Sequence, residues 1–204
     1  NEQLHIGGTT TPETVGISIE TNATSGGLQI ISPTNGRGDI FFGDTADLNV
    51  GQIRYNHSDN SLVVRTNASD ALTIDSSGNV GIGVVPESAW RSTFDVLQIG
   101  SGSSISGENT GTSTWYGSNT YNDGDNWKYI NTSYASLFGQ TSDGKHQFQV
   151  APSGTADSAI SWNTAMTIDN TGNLLVGTTS TNPTSGYYFD ATGASYQQIN
   201  HASG

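Results

Sequence analysis

The segment Asn122-Asp-Gly-Asp-Asn126 sets carboxylate and amide oxygens on either side of a glycine. Oxygen ligands at that spacing suit a hard cation, so Asp123 and Asp125 are candidate ligands for Ca²⁺. The loop lacks the later bidentate Glu that completes a helix–loop–helix calcium site. Asp-Gly and Asn-Asp clusters also form plain turns. Turn formation is therefore the expected role, and no cofactor is expected. Four histidines, His5, His57, His146 and His201, lie far apart with no ligand spacing.

A second group of residues offers binding chemistry. Trp115, Tyr116, Tyr121 and Trp127 fall in an aromatic-rich stretch among Asn, Asp, Ser and Thr. Indole and phenol rings stack on sugar faces while keeping a polar handle, which makes these four the glycan-binding candidates. The competing role is core: Trp127 and Tyr129 alternate as on a strand, and the surrounding segment has few other large residues to bury.

Catalytic patterns are missing from the sequence. There is no Gly-x-Ser-x-Gly elbow, phosphate loop or His-Glu-x-x-His. Paired carboxylates for glycoside hydrolysis would have to be assembled from distant strands, and most of the thirteen Asp stand in turn contexts beside only five Glu. No enzyme activity is expected. Gly36-Arg-Gly-Asp39 contains an integrin-type tripeptide, but a Gly/Asn turn entering a strand accounts for it.

The elements that must position these residues are β-strands. Ala71-Leu-Thr-Ile-Asp-Ser-Ser-Gly-Asn-Val-Gly-Ile-Gly83 returns as Ala165-Met-Thr-Ile-Asp-Asn-Thr-Gly-Asn-Leu-Leu-Val-Gly177, with seven of thirteen positions identical. Each copy reads as strand, tight turn, strand, with Asp75 and Asp169 in turns. Between Ile40 and Leu72 short apolar runs recur at roughly ten-residue spacing, the pattern of a β-meander. Further strands are expected at Leu28–Ile31, paired with 15–19, and at 94–99, 127–130, 135–138 and 146–150. One helical turn is expected at Pro86–Arg91, where Pro and an acid open the segment. The divisions are residues 1–16, the end of a preceding repeat; 17–83, a meander; 84–164, an inserted aromatic-rich module resembling a small β-sandwich; 165–182, the second hairpin; and 183–204, the start of a third repeat. The chain reads as an internal fragment or processed product.

Composition narrows the function. Only 32% of residues are hydrophobic and 12% charged, with a net charge of −12. A core this thin, with no cysteine to staple it, points to stabilisation by oligomerisation. Six scattered cations argue against nucleic acid, which needs clustered positive charge. No run is long enough for membrane insertion.

Gly38-Asp-Ile-Phe-Phe-Gly-Asp44, Ile53-Arg-Tyr-Asn-His-Ser-Asp-Asn-Ser-Leu62 and the hairpin at 72–83 resemble bacteriophage tail fibre and tailspike shafts, closest to those ending in an endosialidase-type intramolecular chaperone domain. Ser88-Ala-Trp90, Asn126-Trp-Lys-Tyr-Ile130 and Ala151-Pro-Ser-Gly-Thr-Ala156 resemble stretches of phage structural proteins. The resemblance implies an all-β, elongated, intertwined parallel homotrimer on the outside of a virion, joined to adjoining fibre segments. It would attach the particle to a host and contact a bacterial surface polysaccharide. Ile74, Val80, Ile82, Ile168, Leu174 and Val176 would face the trimer interior, and a threefold axis would gather three copies of His5 into a metal site. The alternatives are a tailspike depolymerase and a non-viral adhesin stalk.

Overall fold

Apolar residues alternating with polar ones, broken by Asn, Asp and Gly, give each segment about six residues in which to pair. The computed structural model describes residues 28–180 and the strand at 187–189. Its thirteen-stranded sheet contains β1 (Arg37–Phe42), β2 (Gly51–Asn56), β3 (Ser61–Thr66), β4 (Ser69–Ile74), β5 (Val80–Ile82), β6 (Phe94–Ile99), β7 (Ser103–Glu108) and β8 (Thr114–Ser118). It continues through β11 (Ser133–Gln140), β12 (His146–Gly154), β13 (Asn163–Ile168), β14 (Leu174–Val176) and β15 (Tyr187–Phe189). The short pair β9 (Thr120–Asn122) and β10 (Trp127–Tyr129) forms a second layer. Neighbours in the large sheet pair antiparallel, apart from the parallel pair β5–β6. The fold is all-β, as expected.

Three local expectations are corrected. The described residues contain no helix, and Pro86–Arg91 is a loop with one turn at residues 88–89. Its amides are taken by tertiary partners: Glu87 N–H donates to Gln98 Oε1 at 2.9 Å and Arg91 N–H to the Asn122 carbonyl at 2.7 Å. Leu28–Ile31 is not a strand, and its expected partner at 15–19 lies outside the described residues. Residues 84–164 do not make a separate sandwich, because β5 pairs directly with β6 and the sheet runs on without a break.

The register gives the sheet two unlike faces. On one, cross-strand partners line up as Tyr55, Leu62, Ile74, Val80, Leu97, Ile105, Tyr116, Phe138, Phe148, Met166 and Val176, an apolar row from β2 to β14. A parallel row, Ile40, Ile53, Val64, Leu72, Ile82 and Ile99, runs beside it over β1–β6. At the β1–β2 end Ile30 packs against Gly38 on this face, and elsewhere its Ile40, Ile53, Ile82, Ile99, Tyr116 and Phe148 are all exposed.

The opposite face carries the core. There Val63, Thr73, Gln98, Ser104 and Leu137 are each no more than 5% exposed. The connection through Val84 and Pro86 runs directly over Gly81, and the β9–β10 layer covers the middle of the sheet. Trp90, Phe94, Val96 and Tyr121 form one buried cluster with Trp115, Trp127 and Ile130 against it. Tyr129, Ala135 and Ala151 form a second with Ile160 and Trp162. Gly139 is required beneath the first cluster, because a Cβ there would collide with the Trp115 ring.

Candidate functional site

The repeated hairpins are built alike atom by atom. In β4–β5 the Asp75 carboxylate accepts the N–H groups of Ser77 and Asn79 at 2.8 and 2.9 Å, and the Asn79 side-chain amide at 3.1 Å. In β13–β14 Asp169 accepts Thr171 N–H and Asn173 N–H, both at 2.9 Å, and the Asn173 amide at 2.8 Å. Gly78 and Gly172 turn the chain at φ 88° and 91°, the left-handed region that a side chain disfavours. Burial by itself would raise the Asp169 pKa, but hydrogen bonds from Thr171 and Asn173 overcome it and hold the carboxyl at about 2. These acids organise turns.

The six residues assigned to an assembly interior share one face. Ile74, Val80 and Val176 lie in the long apolar row, Ile82 in its neighbour, and Ile168 and Leu174 stand paired one row further along. Ile82 and Ile168 are exposed at 44% and 37%, and the other four are half-buried. Ile40, Ile53, Ile99, Ile105 and Phe148 were not singled out from the sequence, yet they complete the same surface. The alternation in Gly51-Gln-Ile-Arg-Tyr55 was their signal.

The glycan-binding candidates are divided between the two faces. Trp115, Tyr121 and Trp127 pack with Trp90 and Phe94, with Trp115 and Trp127 edge-to-face at 5.5 Å. Tyr121 is 3% exposed and its hydroxyl donates to Asp157 Oδ1 at 3.0 Å. Burial first, and then Asp157, push its pKa up to about 12. Tyr116 alone points to the uncovered face, where it packs on Phe138 at 5.6 Å and Phe138 on Phe148 at 4.7 Å.

In the candidate calcium loop, Asp123 pairs with Lys128 at 2.5 Å and accepts the N–H groups of Asp125 and Asn126. Lys128 leads the causes that hold the Asp123 pKa at about 2. Asp125 is exposed, His5 lies outside the described residues, and no cluster of three potential metal ligands occurs among the described residues. Asp39 of the Arg-Gly-Asp tripeptide sits in β1 and accepts Gln52 Nε2 at 2.6 Å.

Two clefts open on the covered side, one beside each repeat hairpin. The first, about 310 Å³, has Val63 and Thr73 in its lining, with Asp75 and Ser76 from the turn and Val85 and Pro86 from the following chain. The second, about 300 Å³, has Gln147, Thr167 and Leu175, with Asp169 and Asn170 from the turn and Thr179 beyond it. Nothing in the sequence reading anticipated them.

No family model matches this chain, and neither does any curated protein or solved structure.

Proposed function

We propose that the chain is a structural and adhesive segment of a phage tail fibre, an intertwined parallel homotrimer outside the virion that helps attach it to a host-cell surface. The observation that carries this reading is the uncovered apolar face. The eleven-residue row and the six-residue row beside it, at about 4.8 Å between strands and ~6.8 Å between rows, give a strip of roughly 550 Å². That is smaller than the ~800 Å² per partner of a stable protein interface but more than the few hundred Å² a monomer ordinarily leaves exposed. Surface apolar patches of that extent on a polar chain mark interaction sites. Copies of the same chain suit it, because an aliphatic strip with few charges is complementary to itself and its burial thickens a thin core. The repeated hairpins and the resemblance to tail-fibre shafts supply the biological setting.

Multi-angle light scattering on the purified chain tests the reading. We expect a mass three times that of one chain, and rods in electron micrographs. Ile53→Asp combined with Ile82→Asp, both exposed in the single chain, should shift the particle to monomers with the sheet intact by circular dichroism. A stable monomer of the unmodified chain would sink the proposal.

A further inference from the structure

The uncovered face is almost free of charge, and the groups on it that change state near neutral pH are two imidazoles set among hydrocarbon. His146 opens β12, opposite Gln140 on β11 and Ile168 on β13. It is half-buried, with its ring stacked on Phe138 at 5.9 Å. Phe138 in turn packs on Tyr116 and Phe148 of the long apolar row. His57 follows β2 and stands edge-to-face with Tyr55 at 4.9 Å, beside Ile40, Ile53 and Leu62. Charged groups on the surrounding elements are engaged elsewhere. Next to His146, Lys145 pairs with Asp143 in the β11–β12 turn, Asp169 closes its own hairpin, and β8 and β14 carry no charge. Around His57, Arg37 is exposed on β1 opposite Asn56, and Asp59 accepts the N–H and hydroxyl of Ser61. Asp95, exposed on β6, is the one carboxylate among the described strand residues on this face. Its row reaches His146 through Gly107, Thr114 and Gln140, four strand spacings or roughly 19 Å away.

We propose that His146, aided by His57, is a pH switch on assembly. Chains associate through this face while the imidazoles are neutral and separate when they take up protons; the switch rests on the assembly reading above. Histidine is the side chain whose charge ordinarily changes between about pH 8 and pH 5. In the single chain an imidazolium at His146 keeps water on its open side and has the Phe138 ring beneath it. Covered by a second copy it loses that water, and a charge taken out of water without a partner is costly. Copies running parallel and in register keep Asp95 at its distance along the strip, so no carboxylate compensates. Association is therefore at full strength where the imidazole is neutral, and is lost as pH falls through the range in which it protonates. Mutual repulsion predicts the opposite sign, because proton uptake makes a chain of net charge −12 less negative. Acidification separates the two effects.

The test is sedimentation velocity on dilution series of the 204-residue chain at about pH 8 and about pH 5.5, at one salt concentration. The protein concentration at half-assembly should rise about tenfold or more on acidification, with the sheet unchanged by circular dichroism. His146→Gln, neutral at both pH values, should remove most of that rise and still assemble at the higher pH; His57→Gln should remove a smaller part. If the His146 variant fails to fold, the ring C–H shift of His146 in the unmodified chain decides. Its titration midpoint should lie at lower pH at assembling concentrations than in dilute solution, a dependence that a merely structural histidine would not show. Monomers at the higher pH would overturn the assembly reading and the switch together. Particles equally or more stable in acid, or a full acid response retained in His146→Gln, would overturn the switch alone.

Discussion

At the scale of the residue, Asp169 illustrates how a carboxylate that looks available for chemistry is committed elsewhere. Its depressed pKa means the folded chain prefers the ionised form. The stability it contributes is therefore fully present above the ordinary carboxylate pKa near 4 and is lost as pH falls through about 2. A carboxyl-detected NMR titration should place its midpoint near 2. Asp169→Ala should destabilise the hairpin by about 1–3 kcal/mol by removing the acceptor of the Thr171 and Asn173 N–H groups and of the Asn173 side-chain amide, as read by urea unfolding. The turn role was legible in Asp-x-x-Gly-Asn, because those residue types carry local hydrogen bonding with them. The environment of Tyr121 was not legible, because Trp90 and Asp157 reach it from distant parts of the chain.

At the scale of the element, the hairpins and most strands could be read from alternation and turn residues. β7 could not. Ser103-Ser-Ile-Ser-Gly-Glu108 reads as a polar tract, and becomes a strand because Ser104 and Ser106 are small enough to lie buried on the covered face. The turn between β3 and β4 shows the reverse, local chemistry that is less than optimal. Asn67 and Ala68 both adopt positive φ, 48° and 58°, the conformation of a two-residue hairpin loop that favours Asn-Gly. Ala68→Gly should therefore stabilise the chain by up to about 1 kcal/mol, visible as a rise in Tm, whereas Ala68→Val should lower it.

At the scale of the whole molecule, charge and the apolar face oppose each other. In the proposed assembly every copy would bring −12, so the strip would have to overcome repulsion as well as bring surfaces together. Raising NaCl screens that repulsion without weakening apolar burial. The assembled fraction in sedimentation runs at fixed concentration should accordingly increase from low to moderate salt. An interface held by ion pairs would show the opposite trend. The sequence reading placed six residues on this face from the repeat alone. Its full extent depends on register across the large sheet, which pairs residues too far apart in sequence for alternation to reveal.

The order of strands in that sheet is almost their order in the chain, broken only where β9 and β10 leave between β8 and β11. Most pairings therefore close loops of a few residues, and the entropy lost before each new strand is rewarded stays small. Such a sheet can form from its earliest hairpin outward as the chain emerges from the ribosome, each strand templating the next. The two places where the chain must wait are the parallel join of β5 to β6 and the return from β10 to β11, and these are where refolding should pause.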